Sequence, residues 1–212
     1  MLMQEFRLAA AKSECLDLAT RFHHAVPREV RDMVYSYLCQ PRRQLSAEPH
    51  SKSQELYCGN GEPPDMPHWQ RKDMVGRDFA REYTEFFYEA TDVRLSFTAI
   101  SHLLAHDPFG SGIVPSDFIR SCTVVFGTAH DSSDSVKDER ATVPAQLRAL
   151  TRIKHRSGTL TFEIELDSKE SVIWLFAHLF RQLVFLGPIV FELKDQAFNC
   201  NVAISSDMVR ST

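Results

Sequence analysis

The chain lacks the short patterns that mark most active sites and cofactor sites. Its 212 residues contain no glycine-rich phosphate loop, no dinucleotide-binding glycine pattern and no nucleophile elbow. Five cysteines are scattered without a CxxC pair, which excludes a zinc ribbon and a dithiol redox motif. No apolar run approaches the roughly 18 residues that a membrane-spanning helix needs. We therefore expect no catalytic, cofactor-binding or metal-binding residues and no membrane partner.

An excess of basic charge is also absent. The formal net charge of −4 argues against nucleic-acid binding, which depends on basic patches that displace counterions from phosphates. The content of 43% hydrophobic and 25% charged residues is typical of a globular protein. The amino-terminal segment carries acidic residues and no continuous apolar stretch, so it is not a secretory signal. We expect a cytoplasmic or nuclear protein with free thiols, among which Cys122 and Cys200 lie in apolar runs.

Three amphipathic helices are predicted in the first half of the chain. The first covers 5–22 and offers apolar side chains for packing: Phe6, Leu8, Ala9, Leu16, Leu18 and Phe22. The second covers 26–38, where Pro27 suits a first helical position and Glu29 complements the helix dipole. The third covers 73–90 and places five aromatic or aliphatic side chains and one alanine on one face: Val75, Phe79, Tyr83, Phe86, Phe87 and Ala90.

The helix at 26–38 has a distinct apolar stripe. Six residues fall within an arc of roughly 140° when successive residues turn by about 100°. They are Val26, Val30, Met33, Val34, Tyr37 and Leu38. Four polar residues take the opposite side: Arg28, Arg31, Asp32 and Ser36. Pro41 ends this helix, and the segment 40–70, with five prolines, reads as a long irregular insert.

Strands and helices alternate from residue 93 onward. Strands are predicted at 93–97, 119–126, 159–166 and 198–204, with helices at 98–106, from 144, and at 168–184. The helix at 168–184 is apolar almost all round and is predicted to lie centrally, with Gly187-Pro188 as its end. Residues 189–193 could form a strand or a short helix, and Pro188, which suits a first helical turn, favours the helix. The segment 128–141 has almost nothing to bury. The order predicts an α/β fold (α+β being the alternative) with a mostly parallel sheet, helices on one face and the other face wet.

Two regions follow from this organisation. Residues 1–92 form an N-terminal helical region with the insert at 40–70, and residues 93–212 form the α/β region. We expect the two to pack together as one compact unit.

The sequence VPREVRDMVYSYL at 26–38 resembles the opening of an F-box, with its proline, acidic residue, aliphatic positions and Tyr-Leu end. Together with GRDFAREYTEFFYEATDVRLSF at 76–97, it is similar to the F-box-like proteins of ascomycete fungi. In the second block the matching residues are Glu82, Phe87, Tyr88, Val93 and Leu95. The segment Leu103–Arg120, with Asp107, Pro115 and Phe118-Ile119-Arg120, also looks like that family.

The resemblance implies a protein–protein interaction module that binds a Skp1-type ubiquitin-ligase adaptor and an unknown protein client. It assigns the adaptor contact to seven residues: Val26, Pro27, Glu29, Val30, Val34, Tyr37 and Leu38. The chain departs from a full F-box, because the insert at 40–70 stands where an F-box continues with two further helices. The alternative hypothesis is therefore a structural or regulatory scaffold, in which the helix at 26–38 packs wholly against the helix at 73–90. An enzyme is the third hypothesis.

Other chemistry-bearing residues have simpler interpretations. His102 and His106 share a helix face at the spacing of metal ligands, but we expect an exposed pair. Glu163 and Glu165 belong to the solvated face of a strand. A basic cluster follows the helix that begins at 144 and complements its dipole: Arg152, Lys154, His155 and Arg156. Ser135, with an acidic residue three positions on, is a weak candidate for phosphorylation.

Overall fold

Alternating strands and helices follow two N-terminal helices in the computed structural model, which describes residues 2–39, 45–47, 57–58, 68–126, 143–166 and 172–206. The helices are α1 (Leu2–Ala25), α2 (Arg28–Leu38), α3 (Lys72–Val75), α4 (Arg77–Ala90), α5 (Ile100–Ala105), α6 (143–148) and α7 (Val172–Asp195). Short 3-10 turns cover His68–Gln70, Phe97–Ala99, Pro115–Asp117 and Ala149–Arg152. The strands are β1 (Leu45–Ala47), β2 (Tyr57–Cys58), β3 (Asp92–Ser96), β4 (Ser121–Phe126), β5 (Thr159–Leu166) and β6 (Asn199–Ser206).

The strands form one sheet in the order β2-β1-β3-β4-β5-β6. Among the strands that the structure describes, only the β1–β2 pairing is antiparallel, and every other neighbouring pair is parallel. The predicted α/β class with a mostly parallel sheet is therefore confirmed. The prediction of an entirely irregular insert at 40–70 is wrong, because β1 pairs with β3 inside the sheet. Three residues of Leu-Ser-Ala are too few to show a strand period, so this strand escaped prediction.

The register places apolar residues of successive strands on one face of the sheet. Val93, Cys122, Leu160 and Cys200 align in one row, and all four are buried. Buried residues of the helices join the same hydrophobic cluster, so this is the face that the helices cover. The burial of Cys122 and Cys200 as free thiols agrees with the sequence prediction. The same face is less covered at the outer strand β6, where Val202 and Ile204 are exposed.

The opposite face of the sheet is polar. Arg94 on β3 bridges Glu163 and Glu165 on β5, with N–O distances of 2.8 and 2.7 Å. The carboxylate of Asp92 accepts hydrogen bonds from Ser121 and Thr123 on β4. The alternation of β5 thus predicted the two faces correctly. The glutamates are not simply solvated, however, because Arg94 pairs with both of them and their side chains are mostly covered.

Helix α1 extends beyond its predicted bounds but packs through other residues than expected. The buried side is formed by Cys15, Ala19 and Phe22 at helical spacing, and it faces α3 and α4. The side chains of Phe6, Leu8, Leu16 and Leu18 are exposed, and so is Ala9. All five were predicted to pack from their apolarity alone. The residues that do pack, apart from Phe22, are small and permit close approach of the helices.

Helix α7 contradicts the predicted end at Gly187-Pro188. The helix runs from Val172 to Asp195 with Pro188 inside it. Leu186, Ile189 and Leu193 are buried on both sides of the glycine–proline pair. Burial of each such side chain contributes about 1.5–3 kcal/mol, which together exceeds the cost of roughly 3 kcal/mol for an internal proline. The predicted central position is also wrong, because much of the remaining helix surface is exposed.

The other two helices predicted after residue 93 agree more closely with the observed elements. The prediction at 98–106 corresponds to a 3-10 turn followed by α5, which buries Ile100, Leu103 and Leu104. The helix predicted from 144 corresponds to α6 and its 3-10 extension, and Leu147, Leu150 and Ile153 are buried as expected. Residues 128–141, with Ser135, and the segment around Pro41 lie outside the described residues. Among the helices that the structure describes, none is long and apolar enough to cross a membrane.

Residues on either side of the predicted boundary at 92 belong to a single core. The rings of Phe87 on α4 and Phe109, which follows α5, are 5.5 Å apart in an edge-on contact. Tyr88 packs against the same phenylalanine at 5.9 Å and is completely buried. Burial and the charge of Asp107 raise the pKa of Tyr88. All five residues of the second F-box-like block, namely Glu82, Phe87, Tyr88, Val93 and Leu95, are buried.

Candidate partner-binding surface

Helix α2 begins directly after Pro27, whose carbonyl accepts hydrogen bonds from the amides of Val30 and Arg31. Pro27 is therefore the N-cap and not the predicted first helical residue, and the helix starts one position later, at Arg28. Glu29 lies in the first turn of the helix, the position in which a carboxylate complements the helix dipole, and it is exposed. The helix ends at Leu38, where the amide of Cys39 bonds to the carbonyl of Tyr35 at 2.7 Å.

Tyr35 anchors α2 in an aromatic cluster. Its side chain is 0% exposed. Its ring lies between 5.3 and 6.4 Å from four other rings, those of Phe22, Phe79, Tyr83 and Phe86. Edge-on and tilted contacts of this kind suit the quadrupoles of aromatic rings. The cluster joins α1, α2 and α4, so Tyr35 determines which side of α2 faces the core.

Glu82 in the middle of α4 is the second anchor. Its two carboxylate oxygens accept hydrogen bonds from Arg31 at 2.6 and 2.9 Å, a bidentate pair. His23 of α1 lies 2.8 Å from the same carboxylate, and the Tyr35 hydroxyl donates at 3.3 Å. Arg31 also donates to the carbonyls of His23 and Val26. A single buried carboxylate thus connects three helices.

The charges around Glu82 keep it ionised. Burial alone would raise the pKa of this carboxyl, but the hydrogen bond from Arg31 and the charges of Arg28, Arg31 and His23 outweigh that effect. The pKa of Glu82 therefore lies below its ordinary value. Burial, with the negative charge of Glu82 as a further cause, raises the pKa of the Tyr35 hydroxyl. Both groups hold their hydrogen bonds in fixed protonation states at neutral pH.

With Tyr35 and Arg31 facing inward, the apolar side of α2 faces out. We define the α2 stripe as Val30, Met33, Val34 and Tyr37, whose exposed fractions range from 36% to 86%. Pro27 and Glu29 are also exposed, while Val26 and Leu38 are half-buried. Five of the seven residues assigned to partner binding are therefore on the surface. Arg31, on the polar side of the helix, faces the body of the protein and binds Glu82.

Sequence reasoning missed Tyr35, Arg31 and Glu82 as the residues that orient α2. A signal for Glu82 was present, since it stands three residues after Phe79 and four before Phe86, on the apolar face of α4. A charged residue at such a position requires a buried partner. The sequence does not identify that partner, because two arginines of the facing helix, Arg28 and Arg31, could each pair with Glu82.

The remaining candidate residues form no catalytic or metal-binding set in the part of the chain that the structure describes. The rings of His102 and His106 stack at 4.8 Å, and no group of three metal-ligating side chains exists among the described residues. Of the basic cluster, Lys154 pairs with Asp117, and Arg156 bonds to Gln196 and covers the ring of Phe198. His155 lines a polar surface pocket of about 420 Å³.

That pocket lies at the amino-terminal ends of β4 and β5 and is lined by Arg120, His155, Ser157, Gly158 and Thr159. Gly158 has a structural reason to be glycine, since a Cβ there would lie 2.4 Å from the carbonyl oxygen of Arg120. Arg120 itself pairs with Glu89 at 2.9 Å. The lining combines hydroxyls and basic groups without a carboxylate, and no nucleophile–base hydrogen bond is found within it.

The fold defines the chain as an α/β protein with an N-terminal helical layer and an exposed helix stripe. No family model matches it, and comparison with curated proteins and with solved structures finds no match either.

Proposed function

We propose that this chain is a non-enzymatic interaction protein of the cytoplasm or nucleus, in which the α2 stripe binds an adaptor of the Skp1 type. The observation that carries the proposal is the orientation of α2. Its apolar side faces outward, while a tyrosine and an arginine hold the other side against the body.

The spacing of the exposed residues supports binding in a groove. Val30, Met33, Val34 and Tyr37 occupy positions i, i+3, i+4 and i+7 of one helix, which is the anchor pattern of a helix in an apolar groove. Tyr37 is the most exposed at 86%. Tyrosine is among the residues that dominate binding energies at interfaces. The bidentate Arg31–Glu82 pair presents the helix in one orientation, which reduces the entropy lost on binding.

The exposure of the stripe weighs against the scaffold alternative, in which all six apolar residues of the helix belong to the core. Val26 and Leu38 are half-buried, but Met33 and Tyr37 have no such cover in the described part of the chain. The α/β region would then present a surface to the protein client. The enzyme hypothesis gains no support from the described pocket, whose lining offers no convergent catalytic set.

Titration of the purified chain with a purified Skp1-type adaptor, followed by calorimetry, tests the proposal. Val30→Asp places a charge in the stripe, and Tyr37→Ala removes its largest side chain. Because both residues are exposed, both variants should remain folded, as circular dichroism will verify. We expect each to weaken binding by at least about tenfold, the loss typical of an interface anchor.

Leu18→Asp is the matched control, because Leu18 is an apolar residue of helix α1 whose exposed fraction of 64% lies between those of Val30 and Tyr37. It should leave the adaptor affinity unchanged. Absence of binding by the wild-type chain would overturn the proposal. Binding that survives both α2 substitutions in folded protein would remove the α2 stripe from the interface.

A further inference from the structure

Helix α7 is apolar on two opposite sides. Leu186, Ile189 and Leu193 face the core and are buried. Roughly 145° around the helix, at about 100° per residue, lies a second apolar row, which we call the α7 stripe: Ile173, Phe176, Phe180, Leu183, Val184 and Phe191. Its members are 42% to 82% exposed. A helix that is apolar all round is normally buried on all sides, so the outer side of α7 has the composition of an interface.

The exposed apolar area of the α7 stripe is also large enough for an interface. Since a phenylalanine buries 150–250 Å² when covered, the exposed parts of three phenylalanines and three aliphatic residues amount to roughly 700 Å². The largest apolar patch on a typical monomer is about 300–600 Å², whereas a stable interface buries about 800 Å² on each partner. One α7 stripe thus supplies the apolar area that each half of a standard interface needs.

The order of side chains along the stripe is self-complementary. Residue 182 is the midpoint between Ile173 and Phe191, and it is also the midpoint between Phe180 and Val184. Two such helices packed antiparallel about a twofold axis would therefore pair Ile173 with the partner's Phe191, and Phe180 with the partner's Val184. The helix has 24 residues, or about 36 Å, which is long enough for all of these contacts.

The charge pattern is compatible with self-association. Arg181 is the only Asp, Glu, Lys or Arg residue between 172 and 191, and it lies to the side of the stripe. In an antiparallel pairing about residue 182 the two Arg181 side chains lie near the twofold axis, but beside the apolar contact and not within it. Twofold dimers with one shared patch are also the most common oligomers.

We propose that a second copy of this chain covers the α7 stripe, forming a twofold dimer through antiparallel packing of the two α7 helices. This contact is separate from the α2 stripe and does not depend on adaptor binding. In the dimer each sheet would lie on the outer side of its own α7, because the buried side of that helix faces the sheet's core.

Sedimentation velocity of the full chain at increasing concentration tests the proposal. We expect a mass of about twice 24.2 kDa at concentrations above the micromolar range and reversible dissociation on dilution. Phe180→Asp should convert the dimer to a monomer at the same concentrations. Ile173→Asp should act likewise with little effect on folding, because an acidic residue near a helix start is favourable.

Met33→Asp is the control, since it places the same charge on the exposed α2 stripe and should leave the dimer intact. A wild-type chain that stays monomeric throughout would overturn the proposal. So would a dimer that survives Phe180→Asp and Ile173→Asp but dissociates on Ile204→Asp, which would assign the contact to the edge strand β6. A monomer that co-sediments with phosphatidylcholine vesicles would assign the stripe to a lipid surface and would equally refute it.

Discussion

Helices α2 and α7 both carry an exposed apolar stripe, but different contacts hold the two helices in place. The inner side of α2 is aromatic and ionic, with Tyr35 in a ring cluster and Arg31 bound to Glu82. The inner side of α7 is aliphatic, with Leu186, Ile189 and Leu193 against the core. An apolar stripe in the sequence therefore identifies which side of a helix is apolar. It does not show whether that side is buried in the core or exposed to solvent.

Substitution of the two tyrosines of α2 is the strongest test of this comparison. Tyr35→Ala should lower the free energy of unfolding by roughly 4 kcal/mol, the usual loss for removal of a buried aromatic side chain. Tyr37→Ala, two residues away on the exposed side, should change it by less than about 0.5 kcal/mol. Urea unfolding measures both values. Equal losses would mean that α2 is buried on both sides and that the comparison fails.

Removal of the Arg31–Glu82 ion pair should cause the next largest loss of stability. Glu82→Ala leaves Arg31 without its carboxylate in a mostly covered position, and we expect a loss of about 3 kcal/mol in the free energy of unfolding. Asp17→Ala, which removes an exposed pair with Arg21 on α1, should cost less than about 0.5 kcal/mol. If chemical denaturation finds the two losses alike, Glu82 does not hold α2 in its orientation.

Helix α7 provides the corresponding aliphatic test. Leu186→Ala should cost about 2.5 kcal/mol, because it leaves a cavity in the core. Leu183→Ala, one turn earlier on the α7 stripe, should cost much less when measured at concentrations where the chain is monomeric. A larger loss for Leu183 than for Leu186 would invert our assignment of the two sides of α7.

A smaller effect is expected from acid. The folded-state pKa of Glu82 lies below its ordinary value, near 4.5, so its ionic contacts stabilise the fold fully above that pH. This contribution is lost as the pH falls through the lower folded-state pKa. The stability difference between wild type and Glu82→Gln should therefore shrink as the pH falls from neutral through about 4.5 and on through the folded-state pKa. A constant difference over this range would show that the charge of Glu82 contributes nothing.

Local periodicity predicted most of the elements. Strand β5 was predicted with its observed bounds because four apolar residues alternate with polar ones over eight positions. Helices α2 and α4 were predicted from stripes of helical period. The inward side of α2 was not predictable, since a buried ion pair depends on which residue of another helix lies opposite. Five of the seven candidate binding residues are exposed, but the Tyr35 and Glu82 anchors that orient them were missed.

Non-local contacts explain the other differences. Gly187-Pro188 is a valid local signal for a helix end, but buried residues on both sides of it continue the helix. Strand β1 exists because β3 offers a free edge for pairing, which three residues of sequence cannot indicate. The apolar residues of α1 differ from their prediction for the opposite reason. They are strongly apolar, but no neighbouring element in the described part of the chain covers them, so they remain exposed.

The order of the sheet has a consequence for the exchange of amide hydrogens with solvent. From β4 to β6 each strand pairs with the strand before it in the chain, so opening can proceed from the outer strand β6 inward. Amides of β4, with β3 and β5 on either side, require the sheet to separate before they exchange. Amides of β6 need only that strand to detach. We therefore expect protection to fall stepwise from β4 through β5 to β6, and deuterium labelling of wild-type protein would trace that gradient.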